Sequence, residues 1–403
     1  MFERRIPEWL RHAPAPSVRG FASLAGLEAI TRGVLISVFP VAMINVLQDP
    51  ALVSSVYFLV GVLSLVIGLL VPFLNKLIPR RFLYIFGILC YIVGNFLATS
   101  GTQTAIVSAL ALNFFATVII YVCLNAYVLD YIARIELGKS ETLRLFYSAL
   151  GWTLGPVLGV FLWRWWPPSP FIFSTASAFI LLLVFLYMRL GNGKHIVKAR
   201  TPAVNPLAFM GRFVEQPRLV VGWSFAVIRS CGWWVYVVYL PIYAVTNEYS
   251  DQLGGILLSI TNAVLFLSPF MLKWVQRHSI RYAVKTGFFI SGLLFVMACV
   301  FGELPSVALG LLLSASLFLI LLDICGGLPF LMAVKPSERT EMSAIYSSFR
   351  DVSGIITPGF AWIVLLYAPV YGIFGVAGGA CLVAWRLASK LHPRLGQQRV
   401  IEN

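Results

Sequence analysis

The chain has 403 residues, of which 59% are hydrophobic and 11% are charged, well below the roughly 25% charged content of soluble domains. A soluble core could not cover apolar segments of about 20 residues that follow one another along the chain, whereas a bilayer covers them. The formal net charge of +14 would suit nucleic acid, but the basic residues lie in short segments between apolar ones and form no continuous stripe, so no nucleic-acid partner is expected.

Twelve apolar segments predict an all-α integral membrane protein with twelve transmembrane helices. The chain begins with a basic segment, 1–19, which has no signal-peptide core and which we place on the cytoplasmic surface. The first six spans are predicted at 20–47, 51–75, 82–100, 104–133, 143–164 and 169–190. After a polar connection, 191–217, the other six are predicted at 218–246, 252–276, 281–302, 304–334, 342–367 and 368–392, followed by a cytoplasmic tail at 393–403.

The distribution of lysine and arginine predicts the orientation of the chain. The connections after the even-numbered spans and both termini are basic, whereas the opposite side carries only Arg164. Short basic connections stay in the cytoplasm, so both termini and the 191–217 connection are predicted to be cytoplasmic. The chain contains no Asn-x-Ser/Thr sequon, which together with its short loops favours a bacterial inner membrane.

The two halves of the chain repeat each other. Three positions recur at a shared offset of 197 residues: Arg32 as Arg229, Pro72 as Pro269, and Lys76 as Lys273. With slight drift, Tyr147-Ser148 recurs as Tyr346-Ser347. These matches predict two pseudo-symmetric six-helix bundles, 20–190 and 218–392, related by an axis along the membrane normal. Arg32 and Arg229 are then expected to face each other across a central cavity.

The connection after span 2, Pro72–Arg81 with the sequence PFLNKLIPRR, resembles the loop 2–3 signature of the major facilitator superfamily, with Asn75 in place of the usual aspartate. In that family the loop forms a cytoplasmic latch with a carboxylate near the end of helix 4. The resemblance implies gating roles for Asn75, Lys76, Arg80, Arg81 and Asp130, with Asp130 in contact with Arg80, Arg81 or Arg134. Without the resemblance, the basic turn reads as ordinary positive-inside charge.

Span 5 contains Gly151-x3-Gly155-Pro156-x2-Gly159, which resembles the helix 5 signature of the proton-coupled antiporters of the same superfamily, although Val160 stands where a second glycine is usual. The resemblance implies export in exchange for protons. The alternative is structural, because glycines at this spacing form a small-residue face that lets two helices approach closely.

Few ionisable side chains lie within the predicted spans, where each costs several kcal/mol unless it faces protein or water. Glu28 and Arg32 lie four residues apart on span 1, Arg229 lies in span 7 and Asp323 in span 10. Spans 1, 4, 7 and 10 line the cavity in the superfamily that the chain resembles. We expect the two arginines to bind an anionic group of the substrate and Glu28 or Asp323 to carry a coupled proton. The alternative is a closed set of ion pairs that only holds helices together.

Polar and aromatic residues recur at helical spacing on three spans, which predicts inward-facing surfaces. Besides the arginines of spans 1 and 7, the predicted substrate-binding residues are Asn113, Tyr121 and Asn125 on span 4, Trp233 and Tyr236 on span 7, and Tyr346 and Arg350 on span 11. An aromatic stripe is often packing, so recognition by the span 7 aromatics is one of two readings.

No residue pattern predicts a metal or a cofactor. The four histidines fall in polar connections, and the six cysteines lie within apolar spans with no CxxC pair and no histidine nearby. The cysteines therefore read as small core residues.

Together these features predict a secondary transporter that moves a small organic anion or zwitterion by alternating access, coupled to protons and in the direction of export. Its expected partners are the small-molecule substrate, membrane lipid and protons, and it is expected to be monomeric. A lipid or lysolipid translocase of the same fold is the alternative. An intramembrane enzyme is disfavoured because no nucleophile–histidine or metal constellation lies at membrane depth, and direct ATP coupling is disfavoured by the lack of a GxxxxGK loop.

Overall fold

The computed structural model describes residues 17–132, 137–188, 210–334, 342 and 345–392. Within these ranges every regular element is a helix, and ten helical segments are long and apolar enough to cross a membrane. The predicted all-α membrane fold is confirmed.

The first six spans are helical close to where hydropathy predicts them, and the first span consists of two consecutive helices. Their helices are α1 (Val18–Leu35), α2 (Val38–Leu47), α3 (Pro50–Leu77), α4 (Arg80–Ala98), α5 (Gln103–Tyr131), α6 (Leu137–Trp165) and α7 (Ser169–Met188). Ser17 starts α1 as an N-cap, since its hydroxyl accepts a hydrogen bond from the backbone N–H of Gly20 at 3.1 Å. Helix α6 begins six residues before the predicted apolar span, because polar residues extend it beyond the hydrophobic stretch.

The second half contains more interruptions than the first. Its helices are α8 (Met210–Val214), α9 (Pro217–Trp234), α10 (Leu240–Thr246), α11 (Leu253–Val264), α12 (Ser268–His278), α13 (Ile280–Val300), α14 (Pro305–Cys325), α15 (Leu328–Ala333), α16 (Phe349–Leu365) and α17 (Tyr371–Ala388). A π-helical turn, Val235–Tyr239, joins α9 to α10, and a 3₁₀ turn, Leu265–Leu267, joins α11 to α12.

Proline and glycine account for these breaks. Pro241 follows the π-helical turn and Pro269 follows the 3₁₀ turn, since proline lacks the N–H that a regular helix needs at that point. Gly326 and Gly327 separate α14 from α15, because glycine pays the largest entropy cost in a helix. Helix α16 begins at Phe349, seven residues after the predicted start of span 11.

The chain divides into two compact units, one of residues 1–39 and 63–202 and the other of residues 40–62 and 203–403. Residues 40–62 therefore pack with the later part of the chain, although they precede it by far in sequence. The division into bundles at 20–190 and 218–392 stays a prediction.

In the first unit, α1 packs against the glycine motif of α6. A methyl group on Gly151 would lie 2.6 Å from the backbone of Ala29, and one on Gly155 would lie 2.5 Å from the carbonyl carbon of Gly33. A methyl group on Gly159 would overlap the carbonyl oxygen of Val34. No larger side chain fits at this crossing, so the glycines serve the close approach of two backbones.

In the second unit, three buried tyrosines around the π-helical turn bond to different helices. Tyr236 Oη lies 2.7 Å from Thr261 Oγ1, and Tyr243 Oη donates to the carbonyl of Gly302 at 2.7 Å. Tyr239 Oη donates to Ser54 Oγ at 3.0 Å, which ties the 40–62 segment to α9 and α10. Each buried hydroxyl thus has a partner, as burial in an apolar interior requires.

Helix α3 also approaches α16 closely within the second unit. A methyl group on Gly61 would lie 2.7 Å from the carbonyl oxygen of Gly354. Pro358, inside α16, has no N–H to donate to that carbonyl four residues earlier. The Gly354 carbonyl is therefore available at the contact with Gly61, where only a glycine leaves it room.

Candidate functional site: two arginine–carboxylate pairs

The first charged pair lies on α1. Arg32 Nη1 is 3.2 Å from Glu28 Oε1, so the ion pair that their i,i+4 spacing allows is formed. The guanidinium also lies over the Trp152 ring of α6, 5.1 Å from its centroid. The Arg32 side chain is 35% exposed and that of Glu28 is 15% exposed. The guanidinium is thus the more accessible member of this pair.

Glu28 has a second partner, which comes from α4. Tyr91 Oη donates to Glu28 Oε1 at 3.1 Å, and the same phenol lies 2.8 Å from Thr117 Oγ1 on α5. Tyr91 is fully buried, so both contacts replace hydrogen bonds that water would otherwise supply. The carboxylate is held by two donors on one oxygen, Arg32 from its own helix and Tyr91 from α4, and Thr117 of α5 contacts Tyr91 in turn.

A second set of hydrogen bonds connects the same helices to α7. Asn113 Nδ2 donates to Asn95 Oδ1 at 2.8 Å, and Asn95 Nδ2 donates to Ser174 Oγ at 2.8 Å. Ser174 Oγ then donates to the backbone carbonyl of Thr31 on α1 at 2.7 Å. All four residues are buried, so this polar path joins α1, α4, α5 and α7 one turn away from the Arg32–Glu28 pair.

The second charged pair joins α9 to α14. Arg229 Nε lies 3.1 Å from Asp323 Oδ1, and Trp233 Nε1 donates to Asp323 Oδ2 at 2.9 Å. The Nε–H of Arg229 does not point at an acceptor with hydrogen-bond geometry, so its contact with the carboxylate is an attraction between charges. The Arg229 side chain is 11% exposed and that of Asp323 is 35% exposed. In this pair the carboxylate is the more accessible member.

Each arginine lies over an aromatic ring at a repeated position. The Arg229 guanidinium is 5.3 Å from the centroid of Phe349, which follows Trp152 by the same 197 residues that separate the arginines. The Arg350 guanidinium lies 5.6 Å from the same Phe349 ring. The repeat therefore extends from the arginines to the rings that cover them. It does not extend to the carboxylates, because one lies on the helix of its arginine and the other on a different helix.

The remaining predicted binding residues have different environments. Asn113 and Tyr236 are buried, and their polar groups are used between helices, as described above. Asn125 Oδ1 accepts a hydrogen bond from Arg144 Nη2 on α6 at 3.0 Å. Tyr121 is 45% exposed. Tyr346 is half-buried and stacks on Phe330 with 4.3 Å between the ring centroids. Trp233 donates a hydrogen bond to Asp323 of the second pair. Arg350 is exposed and lies over the Phe349 ring that Arg229 also contacts.

Three of the predicted gating residues have described side chains. Arg80 lies 5.1 Å from the Tyr127 ring and Arg81 lies 4.7 Å from the Phe82 ring. The side chain of Asn75 is half-buried at the end of α3. The side chains of Asp130, Lys76 and Arg134 lie outside the described residues. The latch contact of Asp130 stays a prediction.

Sequence reasoning missed two polar residues of α4: Tyr91, which donates to Glu28, and Asn95, which bonds to Asn113 and Ser174. They lie four residues apart on α4, so their spacing was a readable sign of a polar face in an apolar span. Their partners on other helices depend on how the helices pack, which spacing along one helix does not reveal.

Among the residues with described side chains, no group of three or more histidine, cysteine, aspartate or glutamate residues is placed to hold a metal ion. The charged groups described above are arginine–carboxylate pairs, which can bind an ionic solute or a proton.

The sequence matches the family model described as Major Facilitator Superfamily over residues 21–358. No curated protein matches the chain at a significant level.

Solved structures share the fold at low sequence identity. The nucleoside transporter NupG superimposes with a TM-score of 0.67 at 14% identity, covering 93% of this chain and 99% of its own. A D-xylose-proton symporter gives 0.68 at 14% identity, covering 94% and 98%. A mutant of the peptide transporter POT in complex with alafosfalin gives 0.71 at 16% identity, covering 96% and 97%. At these identities the likeness concerns the fold alone.

Proposed function

The chain belongs to the major facilitator superfamily, and from that premise we propose that this multi-pass membrane transporter moves a small organic zwitterion or anion in exchange for protons. The family and the transporter structures of the same fold support secondary transport rather than catalysis. Alternating access is the expected mode of movement in such folds. The substrate class and the coupling are argued below from the two charged pairs.

The opposite exposure of the two pairs carries the proposal. The first pair exposes the Arg32 guanidinium, and the second exposes the Asp323 carboxylate, each at 35% of its side-chain area. A guanidinium binds a carboxylate or phosphate through paired hydrogen bonds, and a carboxylate binds an ammonium group. Within its own unit, the first pair thus offers a partner to an anionic group and the second pair offers a partner to a cationic group. A zwitterion carries both kinds of charge, which supports this substrate class.

Exchange for protons requires that proton and substrate compete for one group. An ammonium group and a proton are alternatives at Asp323, because a protonated carboxyl no longer attracts a cation. A plain anion does not compete with the proton. Protonation of Glu28 or Asp323 frees the arginine paired with that carboxylate, and the anion then binds to this arginine together with the proton. A zwitterion therefore fits exchange, and a plain anion fits cotransport.

The proposal includes export across a bacterial inner membrane with both termini in the cytoplasm. The basic connections on one side of the spans support the orientation. The resemblance of the α6 glycine motif to that of proton-coupled antiporters supports the direction, although these glycines also have the packing role described above. Accumulation of substrate by inverted membrane vesicles with an acidic interior would test the direction, and protease accessibility of the termini in the same vesicles would test the orientation.

Ligand-dependent thermal stabilisation of the purified protein tests the substrate class. We would compare each zwitterion of a panel with its N-acetyl derivative, which lacks the ammonium group, and with its ester, which lacks the carboxylate. A ligand present at about 100 times its Kd stabilises the folded state by about 2.7 kcal/mol. The proposal predicts stabilisation by the parent compound and a large loss with either derivative.

The number of protons released or taken up when the same compounds bind separates exchange from cotransport. In weakly buffered solution, a zwitterion that displaces a proton from a carboxylate acidifies the medium when it binds, whereas an anion that binds together with a proton makes it more alkaline. Asp323→Asn serves as the control, since it removes the exposed carboxyl. Stabilisation by the esters alone would identify a cation site and would contradict the proposal.

A further inference from the structure

Within the second unit, the start of α13 and the end of α17 meet through basic side chains. Arg281, in the first turn of α13, donates a hydrogen bond from Nη2 to the backbone carbonyl of Ser389 at 2.6 Å. Lys285 lies one turn further along α13, and its ammonium nitrogen is 6.0 Å from the centroid of the Trp385 ring on α17. Both cations therefore lie on the side of α13 that adjoins the end of α17.

An apolar stripe on α13 leads to Lys285. Tyr282, Phe289 and Leu293 are exposed large side chains. Lys285 follows Tyr282 by three positions and precedes Phe289 by four, so it lies on the same face of the helix. Apolar side chains that are exposed within a span face lipid. Lys285 therefore lies at the edge of a lipid-facing surface.

Helix α17 has the same order of side chains. Val383 is exposed, and the exposed Arg386 and Lys390 follow it by three and seven residues, at the end of the helix and just beyond it. A methyl group on Gly379, one turn before Val383, would meet no neighbour within 4 Å, so this face is open. On both helices a lipid-facing surface thus ends in cations, and it does so at the same end of the unit.

These four cations have no anionic partner in the part of the chain that the structure describes. Neither of the ion pairs found there includes Arg281, Lys285, Arg386 or Lys390. Helix α13 has 21 residues and so a length of about 31 Å, close to the roughly 30 Å thickness of the hydrocarbon core. Lys285 lies about 7.5 Å along it, so its side chain extends towards the headgroups, where phosphate is the available anion.

We propose that this surface of α13 and α17 binds one anionic phospholipid. Its phosphate contacts Lys285 and Arg386, and its acyl chains lie along Phe289, Leu293 and Val383. The apolar stripes favour an amphiphile over a soluble anion, which would leave them without a partner. The basic end of these helices is predicted to be cytoplasmic, on the side where bilayers carry anionic lipids. The site is additional to the transport site proposed above and does not depend on it.

Native mass spectrometry of the full-length protein in detergent tests the site. The probes are phosphatidylglycerol and phosphatidylcholine with the same acyl chains. We expect one phosphatidylglycerol to bind about tenfold more tightly than phosphatidylcholine. Lys285→Gln and Arg386→Gln should each weaken binding of phosphatidylglycerol by about fivefold, the contribution of one cation near a membrane surface, and leave binding of phosphatidylcholine unchanged. Lys285→Arg keeps the charge and should stay within about twofold of the parent protein.

Arg19→Gln is the matched control. Arg19 is exposed in the first turn of α1, in the first unit, and it is predicted to lie on the same side of the membrane. Its loss should change binding of phosphatidylglycerol by less than about twofold. Equal binding of the two lipids, or an equal loss in Arg19→Gln, would overturn the proposal, because acyl chains alone or the total charge would then explain binding. Displacement of phosphatidylglycerol by glycerol phosphate would also overturn it, since that ligand has no acyl chains.

Discussion

Glu28 and Asp323 are both paired with arginine, but their surroundings leave different groups open to a solute. Glu28 is held by Arg32 and Tyr91 on one oxygen and is the less exposed member of its pair. Asp323 is held on both oxygens, by Arg229 and Trp233, and is nevertheless the more exposed member. If one carboxylate exchanges protons with a solute, these environments favour Asp323, and Glu28 keeps Arg32 oriented.

Neutral variants of the two carboxylates separate these roles. We expect Asp323→Asn to abolish accumulation of substrate driven by a proton gradient, because an amide cannot release a proton. Exchange of labelled for unlabelled substrate should become weaker as well, because the amide does not attract the ammonium group. Glu28→Gln is expected to weaken binding without removing the response to the gradient. Both activities are measured in liposomes. Proton-driven accumulation by both variants would show that neither carboxylate carries the proton.

Arg229→Lys tests whether the second pair binds a ligand through the planar guanidinium of Arg229. Lysine keeps the charge but loses the fork of donors and the flat face over Phe349. We expect ligand affinity to fall about tenfold, which corresponds to about 1.4 kcal/mol, in a protein that folds normally. Thermal stabilisation by ligand measures the affinity, and the melting temperature without ligand is the control. Reduced stability with unchanged affinity would assign Arg229 to helix packing alone.

Tyr91→Phe tests the support of Glu28. The change removes one hydroxyl that bonds to Glu28 and Thr117, and it leaves the ring in place. We expect the free energy of unfolding to fall by about 1 to 3 kcal/mol, because two partly buried groups lose a partner. Tyr367→Phe is the control, since Tyr367 is 86% exposed and should change stability by less than about 0.5 kcal/mol. Unfolding in mixed detergent micelles compares the two, and equal effects would contradict the assignment.

Sequence patterns identified the charged residues of the site but not their partners. Glu28 and Arg32 could be paired in advance because four residues separate neighbours on one helix face. Spacing along the chain does not predict the pairing of Arg229 with Asp323, since it joins two helices that lie far apart in sequence. Asn113, which is predicted to bind substrate, bonds to Asn95 in the structure, and its role in substrate binding stays a prediction. A polar residue within a span signals an inward face, and only packing decides whether that face meets a cavity or another helix.

At the scale of elements, the crossing of α1 and α6 has no tolerance for added volume. We expect Gly155→Ala to reduce stability by several kcal/mol or to prevent folding, because its methyl group would lie 2.5 Å from the backbone of Gly33. Gly379→Ala is the control, since no atom lies within 4 Å of its added Cβ. It should be neutral or slightly stabilising, because alanine is the better helix former. Similar yields and melting temperatures for both variants would contradict the close approach.

Hydropathy predicted most helix positions to within a few residues, because burial in lipid depends mainly on apolar length. It did not predict the π-helical turn at Val235–Tyr239 or the 3₁₀ turn at Leu265–Leu267. Both turns precede a proline, but proline within a span is also compatible with a simple kink. Which irregular turn forms depends on packing against neighbouring helices, such as those that bond to the hydroxyls of Tyr236 and Tyr239.

At the scale of the whole molecule, the predicted latch should control which conformation the transporter favours. We expect Asp130→Asn to shift the balance between cytoplasm-open and closed states by about fivefold or more, which corresponds to a coupling of about 1 kcal/mol. Spin labels on the basic connections, which are predicted to be cytoplasmic, would measure the balance by their distance distribution. Glu303→Gln, in the exposed connection between α13 and α14, is the matched control. An unchanged balance and transport rate in Asp130→Asn would remove the latch.

The grouping of residues 40–62 with the later part of the chain has a consequence for synthesis at the ribosome. Ser54 is made 185 residues before its partner Tyr239, and Gly61 waits longer still for Gly354. At about 5 to 20 residues per second, Ser54 spends roughly 10 to 40 s in the membrane before its partner exists. During that interval the first half of α3 must be stabilised by lipid, by the insertion machinery or by temporary contacts. The nascent protein therefore completes its second unit only by returning to a helix that it inserted near the start.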